Sequence, residues 1–258
     1  MERVFEQDGL TVAVADVTPA YTNTFSGKGT FSHRTRRVER FWRTFAYDRI
    51  DDVIVVFDQV IATRSSFRKR WLLHSIEEPR TSPTGFEVPI ARQNRPGRAG
   101  GHLRGVVLLP RDASINAVGG PGLEFLVDDR NYDESGKLTE IVTKLGPNRS
   151  EPGAWRIEVS PLRDAREDQF LVVMLPSLVG SKSPHQVRLL EAGTRVGCEI
   201  VGPNRTTRWW FTPDRNGVEI EVLESGRTRS HDATGQAAPA PRPPGWLDRL
   251  RESLGLGS

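Results

Sequence analysis

The sequence predicts an all-β fold, a large antiparallel β-sandwich of about a dozen strands. Apolar and polar residues alternate with period two along many short stretches, and clusters of turn-forming residues separate those stretches. Residues 53–60 (VIVVFDQV) are almost continuously apolar, as expected of a strand covered on both faces. No long segment has helical periodicity, and strands do not alternate with helices as a parallel sheet would require. We therefore expect two large sheets packed face to face.

The centre of the predicted fold lies between residues 40 and 76. Residues 40–48 alternate as a first strand, 53–60 form a second and 70–76 a third. Polar turns at 48–52 and 64–66 separate them. The simplest interpretation is an antiparallel meander through the middle of one large sheet.

The remaining chain predicts the domain organisation. The sequence Asn216-Gly217 between two alternating stretches indicates a hairpin, because a type I′ turn needs two residues with positive φ. We assign residues 1–228 to the sandwich and 229–245, rich in Pro and Ala, to a flexible linker. Residues 246–258 are predicted to form a short amphipathic helix or a disordered tail.

Composition limits the partners. The 258 residues carry a net charge of +3, and no apolar run approaches the ~20 residues of a membrane span, so no membrane partner is expected. Charged residues follow Met1 at once, so no signal-peptide core is present. Acidic residues interrupt the basic clusters, which argues against nucleic acid. The excess of arginine over lysine favours an acidic partner, with a merely solvated surface as the alternative.

Common catalytic motifs and metal-ligand spacings are missing from the sequence, and we expect no metal or cofactor. His74 is the one histidine inside an apolar strand, and it is either a core histidine or a catalytic base. Tyr47 is the other candidate catalytic residue, as a proton donor or acceptor, although a structural role is the alternative. The single cysteine, Cys198, lies in a strand-like stretch and is predicted to be a buried thiol.

Candidate binding residues are arginines and a tryptophan. Several arginines on or beside the predicted meander could converge on one positive surface: Arg34, Arg36, Arg37, Arg40, Arg43, Arg68 and Arg70. Of these we select Arg36, Arg40 and Arg70 as substrate-binding candidates. Trp209 could stack on a sugar ring, or it could belong to the core. Trp209 and Trp210 are neighbours in a strand, so they must point to opposite faces.

The order of several motifs resembles the heparinase II/III-like C-terminal domain, the β-sandwich part of a group of bacterial polysaccharide lyases. The motifs are ADVTPAY at 15–21, VIVVFDQV at 53–60, RKRWLLH at 68–74, LRGVVLLP at 103–110, GGPGLEFLVDDRNY at 119–132, WRIEVSP at 155–161 and DQFLVVMLP at 168–176. The resemblance therefore covers most of the predicted sandwich.

This resemblance implies a function. In that family, a helical toroid and the sandwich together form a cleft for acidic, uronate-containing polysaccharides, which are cleaved by β-elimination in the periplasm or outside the cell. The family's catalytic and metal-binding histidines lie largely upstream of the matched motifs. The chain is thus expected to act with a separate helical toroid domain, and a non-catalytic glycan-binding or protein-interaction module is the alternative.

Overall fold

The structure is a computed structural model that describes residues 3–21, 37–90, 100–120, 122–133, 136–139, 153–178, 181, 184–213 and 217–234. Within these residues the chain forms strands and a single 3-10 turn at Thr18–Ala20. All strand pairings are antiparallel, which confirms the predicted all-β class. None of the described helices has the length and apolar character needed to cross a membrane.

The strands form three sheets. The largest sheet contains, in spatial order, β1 (Arg3–Gln7), β2 (Leu10–Asp16), β3 (Val38–Asp48), β4 (Val53–Ala62), β11 (Glu167–Leu178), β8 (Gly101–Leu109), β7 (Gly85–Ile90) and β6 (Arg80–Ser82). A small sheet contains β5 (Trp71–Ser75), β10 (Trp155–Pro161) and β9 (Ala113–Gly119). A five-stranded sheet contains β12 (Gln186–Ala192), β13 (Arg195–Val201), β14 (Thr206–Thr212), β15 (Gly217–Glu224) and β16 (Arg227–Asp232).

The large sheet is the middle layer of the molecule. Its first face packs against the five-stranded sheet, where the rings of Phe57 and Phe211 stack with centroids 4.5 Å apart. Its second face packs against the small sheet, where Val56 and Phe170 share a core with Trp71. The fold is therefore a β-sandwich with a third, smaller layer, rather than the two sheets that we predicted. Burial alternates along β5 and β14, so the two outer sheets each keep one face that is not packed against the middle layer.

The predicted meander is correct for β3 and β4 but wrong for the third strand. β5 pairs with β10 in the small sheet, and the second neighbour of β4 is β11. The physical reason is burial: β11 is apolar enough to be covered on both faces, whereas β5 exposes Leu72 and His74 on one side. A strand with one polar face belongs in an outer layer.

The C-terminal half follows the local predictions. β14 and β15 pair as the predicted hairpin. Gly217 is already the first residue of β15, opposite Thr212, and its φ is not positive, so the predicted type I′ turn with Gly217 at its centre does not form. β16 pairs with β15 as far as Asp232, so residues 229–232 extend the sheet beyond the predicted domain limit at 228. The rest of the predicted linker from residue 235, and the predicted helix or tail at 246–258, lie outside the described residues.

Cys198 is fully buried in β13, in agreement with its prediction as a core thiol. Burial in an apolar environment raises the pKa of this thiol far above its ordinary value. Because the thiolate is the nucleophilic form, Cys198 has a structural role rather than a catalytic one.

Candidate functional site

A cleft of about 730 Å³ opens between the middle layer and the chain that leads into β5. We call it the central cleft. Its floor is apolar and is formed by Val38, Phe41, Val60, Ala62 and Phe170. Its rim combines two aromatic residues with basic side chains, namely Tyr21, Phe67, Arg37, Arg68, Lys69 and Arg70. The carboxylates of Asp58 and Asp128 also line it.

A bulge in β3 builds the floor of the central cleft. The pairing register with β4 shifts between Val38 and Arg40, so three residues of β3 span the same distance as two of β4. Val38 and Phe41 therefore both face the cleft. Arg40 is left on the opposite face of the sheet, where its guanidinium lies 4.4 Å from the centroid of the Trp42 ring.

An ion pair between Arg43 and the buried Asp58 lies beside the cleft. Arg43 donates two hydrogen bonds to Asp58, one from Nε at 2.7 Å and one from Nη2 at 2.5 Å. The Asp58 side chain is almost fully buried, and this desolvation raises its pKa while the hydrogen bond from Arg43 opposes the rise. The ring of Tyr21 packs against that of Phe41 in a tilted arrangement, with ring centroids 5.2 Å apart. The Asp58 charge is thus already neutralised within the protein.

Replacing Arg43 should reveal the free-energy cost of burying the Asp58 carboxylate without a counter-ion. We expect Arg43→Leu to lose about 1–3 kcal/mol of unfolding free energy near neutral pH, at the low end because the Arg43 side chain is 42% exposed. The unopposed desolvation raises the Asp58 pKa further, so the folded state holds a proton more tightly than the unfolded chain. Stability should therefore recover as the pH falls towards ~4. Urea unfolding over this range measures the effect.

The double variant Arg43→Leu/Asp58→Asn is the matched control, because it removes both charges. For this double variant, the difference in unfolding free energy from wild type should no longer shrink as the pH falls. The assignment to Asp58 is wrong if the double variant keeps the same recovery as the single one.

The basic rim carries more positive than negative charge. Arg70 donates from Nη2 to Asp128 Oδ1 at 2.8 Å, and Arg68 Nη1 lies 3.6 Å from the same oxygen. Arg37 lies 5.3 Å from the centroid of the Phe67 ring, and no carboxylate among the described residues pairs with it. Lys69 is committed to Asp168 at 2.9 Å. Arg70 Nε also lies 3.5 Å from Glu158 Oε2, a carboxylate that Arg156 holds as well. The three guanidinium groups of Arg37, Arg68 and Arg70 therefore share Asp128 and part of Glu158.

A second cavity of about 330 Å³ lies on the other side of residues 67–70. Its lining includes side chains of the outer face of the small sheet, namely Ser114, Asn116, Glu158 and Ser160. These groups donate and accept hydrogen bonds. The basic segment 67–70 is thus shared between a cationic, partly aromatic cleft and a polar cavity.

The structure brings only part of the predicted binding set together. Arg70 lies in the central cleft, accompanied by Arg37 and Arg68 from the wider group of arginines. Arg40 lies on the opposite face of the large sheet, beside Trp42, so it does not line the central cleft, and its role in substrate binding stays a prediction. Arg36 lies outside the described residues.

The two candidate catalytic residues do not meet. His74 is exposed on the outer face of the small sheet, opposite Arg156 of β10, so the core interpretation of this histidine is wrong. Tyr47 lies on β3, where its hydroxyl donates to Asp52 Oδ1 at 2.8 Å, and this hydrogen bond raises the Tyr47 pKa. Neither residue lines the central cleft. Their roles as base and acid of one site have no support in this geometry.

Trp209 is a core residue. Its side chain is fully buried, and its Nε1 donates to Thr207 Oγ1 at 2.9 Å, so the prediction that it stacks on substrate is wrong. Trp210 is the outward member of the pair, with the Arg195 guanidinium 4.9 Å from its ring centroid. The predicted opposite orientation of the two tryptophans is therefore correct, but the outward one is Trp210.

Tyr21 and Asp128 are the cleft residues that sequence reasoning missed. Each lies at or near the end of one of the recognised motifs, ADVTPAY and GGPGLEFLVDDRNY. The presence of both stretches in these motifs is the sequence signal that points to them. Their order along the chain does not reveal that both stretches meet Arg70 in space.

Comparisons with known proteins give matches only among solved structures. No protein-family model matches the sequence, and no curated protein is significantly similar to it. A mutant of heparan sulfate lyase HepC from Pedobacter heparinus is similar at 9% identity and a TM-score of 0.48, over 92% of this chain and 28% of that one. Heparinase III is similar at 11% identity and a TM-score of 0.42, over 90% of this chain and 27% of that one. The chain thus spans little more than a quarter of either protein.

Proposed function

We propose that the central cleft binds acidic polysaccharides. The observation that supports this most directly is the convergence of Arg37, Arg68 and Arg70 around the exposed carboxylate of Asp128, beside the exposed ring of Tyr21. A guanidinium presents parallel N–H donors that match the two oxygens of a carboxylate or sulfate group. Uronate-containing chains carry such anions at regular intervals, so several arginines can be engaged by one polymer.

Aromatic residues in the cleft suit the sugar rings. Tyr21 is 46% exposed and its ring packs against Phe41 at an angle of 44°, so the ring has a partner within the protein while part of the side chain stays accessible. Phe67 is already covered by Arg37 and Arg64, at 5.3 and 5.8 Å from its ring centroid. The C–H face of a pyranose packs well on such rings, which combine an apolar surface with a polar edge. A sugar unit lying on Tyr21 would bring its carboxylate towards the arginines.

The chemistry that such a complex supports is β-elimination with help from outside the chain. This reaction needs a base for the proton next to the carboxylate, a cation for the resulting enolate and an acid for the leaving oxygen. The arginines supply the cation. Among the described residues that line the cleft there is no histidine, and Tyr21 is the one phenol. We therefore propose that a helical partner domain completes the catalytic site, with a glycan-binding module that performs no chemistry as the alternative.

Binding can be tested by calorimetry with heparan sulfate, hyaluronan and alginate, and with an uncharged glucan for comparison. We expect saturable binding of the acidic polymers only. Arg70→Ala should weaken it roughly tenfold, since a hydrogen bond between charged groups contributes about 1.5–3 kcal/mol. Arg188→Ala is the control, because Arg188 also pairs with a carboxylate, Glu199, but lies on the five-stranded sheet. Equal effects of the two substitutions would contradict the proposal.

Catalysis can be tested separately by the absorbance of unsaturated products on the same polymers. We expect the chain alone to bind without releasing product. Product that disappears in Tyr21→Phe but persists in His74→Ala would show that the cleft supplies its own base. In that case the requirement for a partner domain is wrong, while the binding proposal stands.

A further inference from the structure

We propose that Asp128 is an internal competitor of the acidic ligand and thereby sets the specificity of the central cleft. Its carboxylate occupies the guanidinium groups of Arg70 and Arg68, which an acidic sugar would also use. A ligand must displace this carboxylate before it can bind both arginines. The inference rests on the proposed function of the cleft and adds a residue that selects among acidic polysaccharides.

The contact geometry is that of an occupied anion site. One oxygen, Asp128 Oδ1, lies 2.8 Å from Arg70 Nη2 and 3.6 Å from Arg68 Nη1. The Asp128 side chain is 62% exposed, so the ion pair is open to the cleft and to solvent. An exposed ion pair is held weakly and exchanges partners easily. A ligand carboxylate or sulfate can therefore approach the same two arginines from solution.

The local backbone presents Asp128 towards these arginines. Val127 and Arg130 exchange both backbone hydrogen bonds, at 2.8 and 3.0 Å, and close a tight turn. Asp128 and Asp129 form the tip of this turn with φ values of 47° and 61°. Two consecutive positive φ values are the geometry of a type I′ turn, which aspartate tolerates better than most residues. The tip is thus a defined structure that holds a carboxylate in the cleft.

The base of this turn is anchored to the small sheet. The buried Arg156 donates from Nη2 to the carbonyl oxygen of Leu126 and from Nε to Glu158 at 2.7 Å. Asn131 donates to the carbonyl oxygen of Gly122 at 2.9 Å. Because both ends of the turn are fixed, displacement of the Asp128 carboxylate needs only a side-chain rotation and no movement of the strand below.

Competition by Asp128 favours polysaccharides with a high density of anionic groups. A lone ligand carboxylate that replaces Asp128 exchanges one ion pair for another and gains little. A densely sulfated chain brings additional anions to Arg37 and Arg68, and these extra ion pairs offset the free-energy cost of displacing Asp128. Specificity that arises from an opposing group in the site is a recognised way to reject weaker ligands. Asp128 should therefore disfavour sparsely charged polysaccharides more than densely charged ones.

The test compares Asp128→Asn with Asp129→Asn by calorimetry, using hyaluronan as the sparsely charged probe and heparin as the dense one. Both substitutions remove one negative charge from the same turn, and asparagine also tolerates positive φ. Asp129 makes no ion pair with the described residues. We expect Asp128→Asn to raise the affinity for hyaluronan by up to about fivefold, with a smaller gain for heparin, and Asp129→Asn to change both little. Thermal unfolding of both variants verifies the fold.

Three results would overturn this inference. Equal gains in affinity for the two variants would show a long-range charge effect. A loss of affinity in Asp128→Asn would show that Asp128 orders the arginines for the ligand. An unchanged affinity in Asp128→Asn would show that Asp128 does not compete. The proposed function fails in a different way. If Arg70→Ala leaves binding intact, the central cleft is not the binding site. If Arg70→Ala weakens binding but Asp128→Asn leaves the affinity unchanged, the cleft is still the site and only the competitor role of Asp128 is wrong.

Discussion

Arg205→Ala should be among the most destabilising substitutions in the protein, with an expected loss of about 3–5 kcal/mol of unfolding free energy. The side chains of Arg205 and Asp48 are each only 1% exposed. Arg205 donates from Nε at 3.0 Å and from Nη2 at 2.6 Å to the two oxygens of Asp48. Removing the guanidinium leaves a buried carboxylate without its counter-ion. Urea unfolding measures the loss.

The position of this pair explains why the effect should be global. Arg205 lies between β13 and β14 of the five-stranded sheet, and Asp48 ends β3 of the middle layer. Asp51 adds to the connection, because its carboxylate accepts from Asn204 Nδ2 at 2.6 Å and from the backbone N–H of Arg205 at 3.3 Å. The network therefore ties the ends of two layers together.

Arg188→Ala is the control for the Arg205 prediction. Arg188 pairs with Glu199 at 2.5 Å, but its own side chain is 66% exposed and Arg208 also holds Glu199, at 2.7 Å. Its removal should have a much smaller effect on stability. A loss in Arg205→Ala no larger than in this control would contradict the importance of the buried pair.

Trp209→Ala should cost a similar amount, about 3–5 kcal/mol, because it leaves a large cavity in the core between the middle layer and the five-stranded sheet. Trp209 is fully buried there together with Phe211 and Ile220. Trp210→Ala is the matched comparison, since Trp210 follows in the same strand and faces outward. It should unfold close to wild type in a thermal scan.

A conservative variant separates this structural role from sugar binding. Trp209→Phe keeps most of the buried apolar volume, so the fold and the affinity for acidic polysaccharide should both be retained. A folded Trp209→Phe protein with strongly reduced affinity would restore Trp209 as a binding residue.

Local sequence pattern predicted the strands well and the layers less well. The apolar run of β4 identified a strand covered on both faces, and the structure places it between two cores. The same kind of pattern could not show that β5 leaves the sheet of β4. The partner of β5 is β10, which lies far along the chain. The second neighbour of β4 is instead β11, and which strand takes that place depends on burial on both faces, which only the assembled layers define.

The candidate site was predictable in kind but not in detail. The concentration of arginines near Arg70 indicated a positive surface, and Arg37, Arg68 and Arg70 do line one cleft. Arg40 is excluded because period-two alternation places it on the same face as Trp42, whereas the bulge turns Val38 towards the cleft. Asp128 reaches the cleft through a turn whose geometry depends on anchoring by Arg156. Neither the bulge nor this anchoring has a clear sequence signal.

The pairing of β4 with β11 also affects how the protein is made. Gln59 of β4 donates a hydrogen bond to Glu167 of β11, although the two residues are 108 positions apart. During synthesis the ribosome must therefore add the whole intervening chain before the central strand gains its second neighbour. Pairings of such high contact order fold slowly, and until then β4 is an uncovered apolar edge that can associate with other nascent chains. We expect efficient production to depend on chaperones that cover this edge until β11 has emerged.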